Sequence, residues 1–249
     1  MIRIRALNLT IQKTVILQNI SCKIQQNEKI GIIGLNGSGK SSLLKCIYYH
    51  YKHFQGHITI HDHDIKKDLK RHHYFSLVPQ QLNNHWQLTV YQFIQSGLLR
   101  YQNILYGFRQ QYNQNLIRDK LQQFELTEYI NTPLHQLSYG QQQRVILLRA
   151  LCQQNPILIL DEPTNHLDMS FQQHLFHHLK KHKGTILITS HDLDFIMNLC
   201  DKVLLLYQGK LILFDIPQKV ITHNNIQQYF HVNMTNQIIN DKSRWLLCY

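Results

Sequence analysis

The sequence predicts an α/β chain: a parallel sheet buried on both faces, an N-terminal antiparallel β-subdomain and an inserted α-helical subdomain. Three observations carry this. Short apolar runs recur as "KIGIIG" at 29–34, "ILIL" at 157–160, "TILIT" at 185–189 and "VLLLY" at 203–207. A strand covered on both faces reads as such a run rather than as an alternation. Helical spacing separates the runs, with Leu43, Leu44 and Ile47 after the first, Phe171, Leu175 and Leu179 before the third, and Phe195, Ile196 and Leu199 before the fourth. Strands alternating with helices make a parallel sheet with helices on its faces. The N-terminus differs: Ile2 and Ile4, then Leu7, Leu9 and Ile11, then Ile20, Cys22 and Ile24 follow a period of two, with a parity break between Ile4 and Leu7. That is the pattern of twisted antiparallel strands.

Residues 87–140 interrupt the rhythm. Val90, Phe93 and Ile94, then Ile117, Leu121 and Phe124, keep helical spacing with no buried strand between them, so this stretch is read as the helical insertion. Residues 223–249 form a tail: a short helix from Ile226 to Phe230, then strand-like "RWLLCY". "HDHD" at 61–64 is read as a solvated turn between two strands rather than as a metal site.

Composition narrows the class. With 249 residues, 43% hydrophobic and 16% charged, the chain can bury a sizeable core and is not of the disordered type. It has no apolar run of about 18 residues and no apolar signal core at its start, so neither a membrane span nor export is expected. Five scattered cysteines without metal spacing fit a reduced, cytosolic chain. A net charge of +11 is compatible with nucleic acid, an anionic membrane surface or a polyanionic small ligand. The basic residues are dispersed, and their densest cluster, "KKDLKRHH" at 66–73, is short and interrupted.

The polyanion gains a concrete form at "GLNGSGKSS", 34–42. Gly34, four residues, then Gly39, Lys40 and Ser41 make a P-loop, placed after a buried strand and before a helix as the motif requires. Asn36, Gly37, Ser38 and Ser42 complete the stretch. Glycines let backbone N–H groups curl around phosphate oxygens, and the helix turns its positive end to them. Lys40 supplies charge to the β- and γ-phosphates, and the Ser41 hydroxyl is a ligand for Mg²⁺. The core is therefore expected to be a P-loop NTPase of the RecA-like type. In "ILILDEPTNHLD", 157–168, Asp161 closes a buried strand and would hold Mg²⁺ directly or through water. Glu162 beside it is suited to orient or deprotonate the attacking water. Two adjacent acids at the end of an apolar strand are expensive to bury without a cation. His191, in "TSHD" after the next strand, is placed to face the γ-phosphate.

With these residues in place the chain resembles the ATP-binding subunits of ABC transporters, over nearly its whole length. The resemblance is carried by motifs in family order: the P-loop, Gln80 in "VPQ" as the Q-loop, "LSYGQ" at 137–141 as the signature, "LILDE" as the Walker B strand, Asp168 in "NHLD" as the D-loop, and His191 as the switch histidine. It implies one ATP-binding domain over 1–222, with ATP and Mg²⁺ as cofactors and Glu162 and His191 as catalytic residues. It implies Gln80 beside Ser41 and Asp161 at Mg²⁺. It also implies a homodimer in which Ser138, Gly140 and Gln141 meet the γ-phosphate held by the P-loop of the other subunit. Ser138 also suits the N-cap of the apolar helix that follows it.

Two integral membrane permease subunits and, indirectly, a substrate-binding protein are the implied partners, with the chain at the cytoplasmic face of the inner or plasma membrane. No nucleic-acid partner is implied. The aromatic residues Trp86, Tyr91, Tyr101, Tyr106 and Phe108 make 87–140 the expected permease contact. "LTVYQFIQSGLLRYQNILYGFRQ" and the tail are most similar to importer subunits for iron chelates (siderophore or haem) and cobalamin, while "INTPLHQLSYGQQQR" is similar to zinc and manganese importer subunits. ABC-type ATPases that act on DNA or ribosomes, and exporter subunits, form the other readings. Two departures stand out. Tyr139 replaces the first signature glycine, and Leu9 to Ile11 offers no aromatic ring to stack on adenine.

Overall fold

The computed structural model describes residues 1–80, 87–98, 106–239 and 242–247. Strands β1 (Ile2–Ile11) and β2 (Thr14–Ile24) pair antiparallel through a two-residue turn. Gln12 and Lys13 in that turn both have positive φ, the conformation that matches the twist of a tight hairpin. The expected parity break is present as a register shift between Ile4 and Leu7, with Ala6 at φ 46°. The bulge returns Leu7 and Leu9 to the buried face that Ile2 and Ile4 occupy. After β3 (Lys29–Ile33) and α1 (Lys40–Ile47), strand β4 (Gln55–Ile60) pairs with the other edge of β1, and β5 (His63–Asp64) closes a sheet of order β2-β1-β4-β5. His61 and Asp62 form the turn between β4 and β5, while His63 and Asp64, expected in that turn, are the strand β5 itself. Among the described residues no group of three or more His, Cys, Asp or Glu side chains could hold a metal ion.

The second sheet has the order β10-β9-β3-β8-β7-β6, formed by β6 (Phe75–Val78), β7 (Ile157–Asp161), β8 (Thr185–Thr189), β9 (Lys202–Tyr207) and β10 (Lys210–Asp215) around β3. The four apolar runs are its four inner strands, paired parallel. Its edges were not anticipated. Strand β6 pairs parallel to β7 and is only four residues long. Strand β10 runs antiparallel to β9 and has no fully buried residue, so it does not read as a core strand. The sheet is thus parallel with one antiparallel edge.

Alternate residues of the inner strands enter two separate cores. Ile157 and Ile159 of β7, with Ile30, Ile32 and Leu187, pack under the N-terminal sheet and α1. Leu158 and Leu160, with Ile33, Ile186 and Ile188, pack against the helices of the other face. Within 87–140 lie α2 (Val90–Leu98) and α3 (Tyr106–Gln123), and α4 (Tyr139–Cys152) starts at its end. Phe93, Ile94, Ile117, Leu121 and Phe124 are all buried, as their spacing predicts. Trp86 and Tyr101, and the side chains of Tyr106 and Phe108, lie outside the description.

Helices α5 (Met169–Lys181) and α6 (Leu193–Leu199) precede β8 and β9. The chain then runs through α7 (Pro217–Val220) and α8 (His223–Phe230) to an antiparallel hairpin of β11 (Met234–Ile239) and β12 (Lys242–Leu247). Among the described residues no helix is long and apolar enough to cross a membrane. Burial pushes the thiols of Cys22, Cys46 and Cys152 up to about 12, which keeps them protonated and unreactive.

Leu187 sits in the central strand β8 with no exposed surface. Leu187→Ala is expected to lower stability by about 2–5 kcal/mol through lost burial and the cavity left behind, measured as a shift in the urea unfolding midpoint at unchanged slope.

Candidate active site

The loops after β3, β6, β7 and β8 leave the same, carboxyl-terminal edge of the parallel strands, which is where open α/β sheets place their ligands. The phosphate loop comes first. Gly34 has φ 151°, and a Cβ there would lie 2.2 Å from the Leu206 carbonyl oxygen and 2.6 Å from Ser38 Oγ. Only glycine fits. Gly39, at φ 104°, stands at the N-cap of α1 without a side-chain cap, so the first N–H groups of that helix remain for an anion. Ser38 Oγ is buried with no protein partner. An orphaned buried hydroxyl within this glycine-rich loop suits a phosphate oxygen. Lys40 Nζ donates to the carbonyls of Gly34 (2.8 Å) and Leu35 (3.1 Å). Burial pulls its pKa below the ordinary lysine value, and the carboxylates of Glu162 and Asp161 oppose that shift.

Ser41 Oγ donates to Asp161 Oδ1 at 3.1 Å, and the same carboxylate oxygen accepts from Thr189 Oγ1 at 2.7 Å. A hydroxyl beside a carboxylate is the hard oxygen set that Mg²⁺ takes, so these residues fit that ion. One residue on, Glu162 adopts φ 52°. A left-handed conformation costs a non-glycine residue roughly 1–2 kcal/mol, and here it ends the strand and turns the second carboxylate out of the strand's alternation. The Glu162 N–H donates to Thr189 Oγ1 at 2.9 Å. Its carboxylate accepts from three loops: from Gln80 Nε2 at 3.0 Å, from Asn165 Nδ2 at 2.8 Å, and from His191 Nε2 at 2.9 Å. Glu162 is almost fully buried, while the His191 side chain is half exposed.

The fold therefore brings Ser41, Gln80, Asp161, Glu162 and His191 together beside the phosphate loop. The signature stands apart. Ser138 N-caps α4 in a reciprocal capping box: Gln141 N–H donates to Ser138 Oγ (3.3 Å), and Ser138 N–H donates to Gln141 Oε1 (2.9 Å). Among the described residues, no hydrogen bond joins 138–141 to the phosphate loop of the same chain. The Tyr139 ring is 64% exposed and lies 5.4 Å from the His166 ring. A Cβ on Gly140 would come within 2.9 Å of the His166 carbonyl oxygen, so α4 starts flush against the 165–168 segment.

Asp168 is engaged within its own chain. It N-caps α5 through Phe171 N–H at 2.8 Å and pairs with Arg144 Nη2 at 2.6 Å. The Ser170 hydroxyl, the Phe171 N–H and the Arg144 guanidinium hold its carboxyl well below the usual range. Arg144 also pairs with Glu125 at 2.8 Å and stacks over Phe171. Thr189, Asn165 and Arg144 are functional neighbours that sequence reading passed over. Thr189 and Asn165 sat inside motifs already quoted, but only the fold shows which atoms they face.

A family model described as "ABC transporter" matches residues 17–165 of this chain. The chain belongs to the ABC transporter family. It is an ATPase of that family. Three curated relatives span several uses of this ABC domain. The chain is 35% identical over 202 residues to an ATP-binding protein Uup of Buchnera aphidicola subsp. Schizaphis graminum, covering 80% of this chain but 31% of that protein. Against that relative the chain spans about a third of the length. It is 30% identical to a hemin import ATP-binding protein of Shewanella denitrificans, covering 93% of each chain. It is 31% identical to a zinc import ATP-binding protein of Hydrogenovibrio crunogenus, covering 86% of this chain and 81% of that one. Among solved structures, an ATP-binding cassette described as a dimer in a post-hydrolysis state with ADP and Pi aligns at TM-score 0.76 and 25% identity, over 87% of this chain and 99% of that one.

Thr189→Val keeps the shape of the side chain and removes its hydroxyl. Asp161 then loses a buried donor and the Glu162 N–H one of its acceptors, at a cost of about 1–3 kcal/mol. Chemical denaturation should register that loss, and ATPase assays should show slowed turnover with nucleotide affinity largely kept.

Proposed function

We propose that this chain is the ATP-hydrolysing subunit of an ABC importer, acting as a homodimer against two integral membrane permease subunits at the cytoplasmic face of the membrane. The observation that carries the hydrolytic part is the Glu162 carboxylate, buried and held by Gln80, Asn165 and His191 next to the phosphate loop. The loop N–H groups, Ser38 and Lys40 grip the β- and γ-phosphates. Ser41 and Asp161, with Gln80 beside them, would hold Mg²⁺, which supplies neutralisation of the charge on the phosphate oxygens. Glu162 orients a water in line with the γ-phosphate and accepts its proton, and His191 steadies that carboxylate and reaches the γ-phosphate from the solvent side.

The dimer reading rests on the separation of the signature from its own phosphate loop. Ser138, Gly140 and Gln141 close off the start of α4 while the Tyr139 ring faces solvent. The anion that this helix end suits must come from a second copy. Asp168 keeps its place among the nucleotide-site residues of this reading, and its pairing with Arg144 ties the 165–168 segment to the signature helix. A groove of about 590 Å³ lined by Tyr48, His50, Pro79, Gln80, Phe93 and Arg149 opens between α1, β6, α2 and α4. Permease docking there would move Gln80, and with it Glu162.

For cargo, the reading is an iron chelate (siderophore or haem) or cobalamin, supported by end-to-end similarity to the hemin import protein. The zinc or manganese reading keeps its place because the zinc import relative is 31% identical over most of both chains. Vesicles reconstituted with the permease that co-purifies with the chain decide between them. ATP-driven uptake of haem, a ferric siderophore or cobalamin is expected, and uptake of Zn²⁺ or Mn²⁺ alone would replace the reading with the zinc or manganese one.

Glu162→Gln should bind ATP, run as a dimer on size exclusion with ATP, and turn over about 10²–10⁴-fold more slowly. Near-normal turnover would remove Glu162 from its role. The composite site has its own test. Lys40→Ala and Ser138→Arg homodimers should each fail to trap nucleotide with a transition-state mimic. A mixed dimer, verified with differently tagged chains, places both lesions in one site and should trap in the other. No trapping after proven exchange would refute the role of Ser138 across the interface.

A further inference from the structure

Helix α5 carries a feature that hydrolysis does not use. His174 and His178 lie one turn apart, so their rings share one face of the helix. Their Nε2 atoms are 3.0 Å apart and their ring centroids 4.6 Å. Both are partly exposed, so the open side of the pair is reachable from solvent. The other side is walled by aromatic rings. Phe124 lies 5.9 Å from the His174 ring and 5.5 Å from the His178 ring, and Phe171 lies 5.5 Å from His174. This packing holds the imidazoles in place.

Two neutral imidazoles at this distance share a single Nε2 proton, so the two Nε2 atoms already stand side by side. Late first-row divalent metals bind imidazole nitrogen at about 2.0–2.1 Å. Two nitrogens in neighbouring positions around such an ion are then about 2.8–3.4 Å apart, from square-planar to tetrahedral geometry. The observed 3.0 Å falls in that interval.

We propose that His174 and His178 are a chelating pair for a late first-row divalent metal ion (Zn²⁺, Ni²⁺ or Cu²⁺), with water completing the coordination. On binding, the shared proton leaves its Nε2 and returns through solvent to the Nδ1 of the same ring. Both rings then carry their proton on Nδ1 and offer Nε2 to the metal, with no net proton released. Burial, followed by the nearby His174, Lys120, Lys181 and His177, lowers the His178 pKa to about 4. Phe124, just after α3, packs on both rings, so the ion would also stiffen the contact between the α3 end and the helix that follows Asp168. The proposal is independent of cargo and of dimerisation.

The test is titration of the full chain with Zn²⁺, followed by calorimetry, in wild type, His174→Gln, His178→Gln and His177→Gln. The chain has 17 histidines, so the comparison matters more than the wild-type stoichiometry. Each of the first two variants should lose one equivalent, or weaken it at least about tenfold, while His177→Gln, on the exposed face, keeps it. Equal binding in all four proteins would overturn the proposal, as would no binding by wild type. A second measurement does not depend on the variants folding. In the wild-type chain, Zn²⁺ should protect His174 and His178 from diethyl pyrocarbonate, mapped by mass spectrometry, and should leave His177 reactive. Unchanged modification at 174 and 178 would refute the site.

Discussion

Two carboxylates side by side in a nearly dry place are the constraint on which the rest of this molecule depends. Asp161 and Glu162 are both about 8% exposed at the end of a strand whose other residues are apolar. An ion removed from water costs several kcal/mol unless it is paired and hydrogen-bonded. Each carboxylate is compensated separately. Asp161 is met by the hydroxyls of Ser41 and Thr189. Glu162 is met by an amide from the 80 loop, an amide from the 165 segment and an imidazole from the 191 loop. The left-handed turn at Glu162 lets consecutive residues serve different partners.

The sheet makes this compensation possible. Because β6, β7, β8 and β3 run parallel and adjacent in the order found, their carboxyl ends lie in one row. Loops more than a hundred residues apart in sequence thereby meet at one point. The pairing of Asp161 opposite Thr189 in the β7–β8 register places the threonine hydroxyl between the two acids. Two cores fix that register from both faces, since a slip by one residue would exchange Ile157 and Ile159 with Leu158 and Leu160.

Legibility in the sequence followed locality. The phosphate loop could be read because its glycines, lysine and serine act within nine residues of chain. The inner strands could be read because burial on both faces leaves no polar alternation. Ser138 as a cap was readable because a capping bond spans three residues. What stayed hidden depends on contacts across the fold. Thr189 reaches Asp161 over 28 positions, and Arg144 reaches Asp168 over 24. Strand β10 was missed because an antiparallel edge with half-exposed side chains looks like a loop. The arginine that pairs with Asp168 stands on another helix, which the D-loop stretch alone does not show.

The capping box at Ser138 has a chemical directionality. A serine hydroxyl offers one proton and two lone pairs. Here a lone pair is already engaged by the Gln141 N–H, and the Ser138 N–H is engaged by the Gln141 side chain. The oxygen keeps its proton and one lone pair for a group arriving from outside. The helix end behind it is positive as well. The segment is thus polarised as a donor surface, selective for the sign of an incoming group before any shape is compared. An incoming anion can take the Ser138 proton without breaking the cap, whereas a cation would face the positive end of the helix.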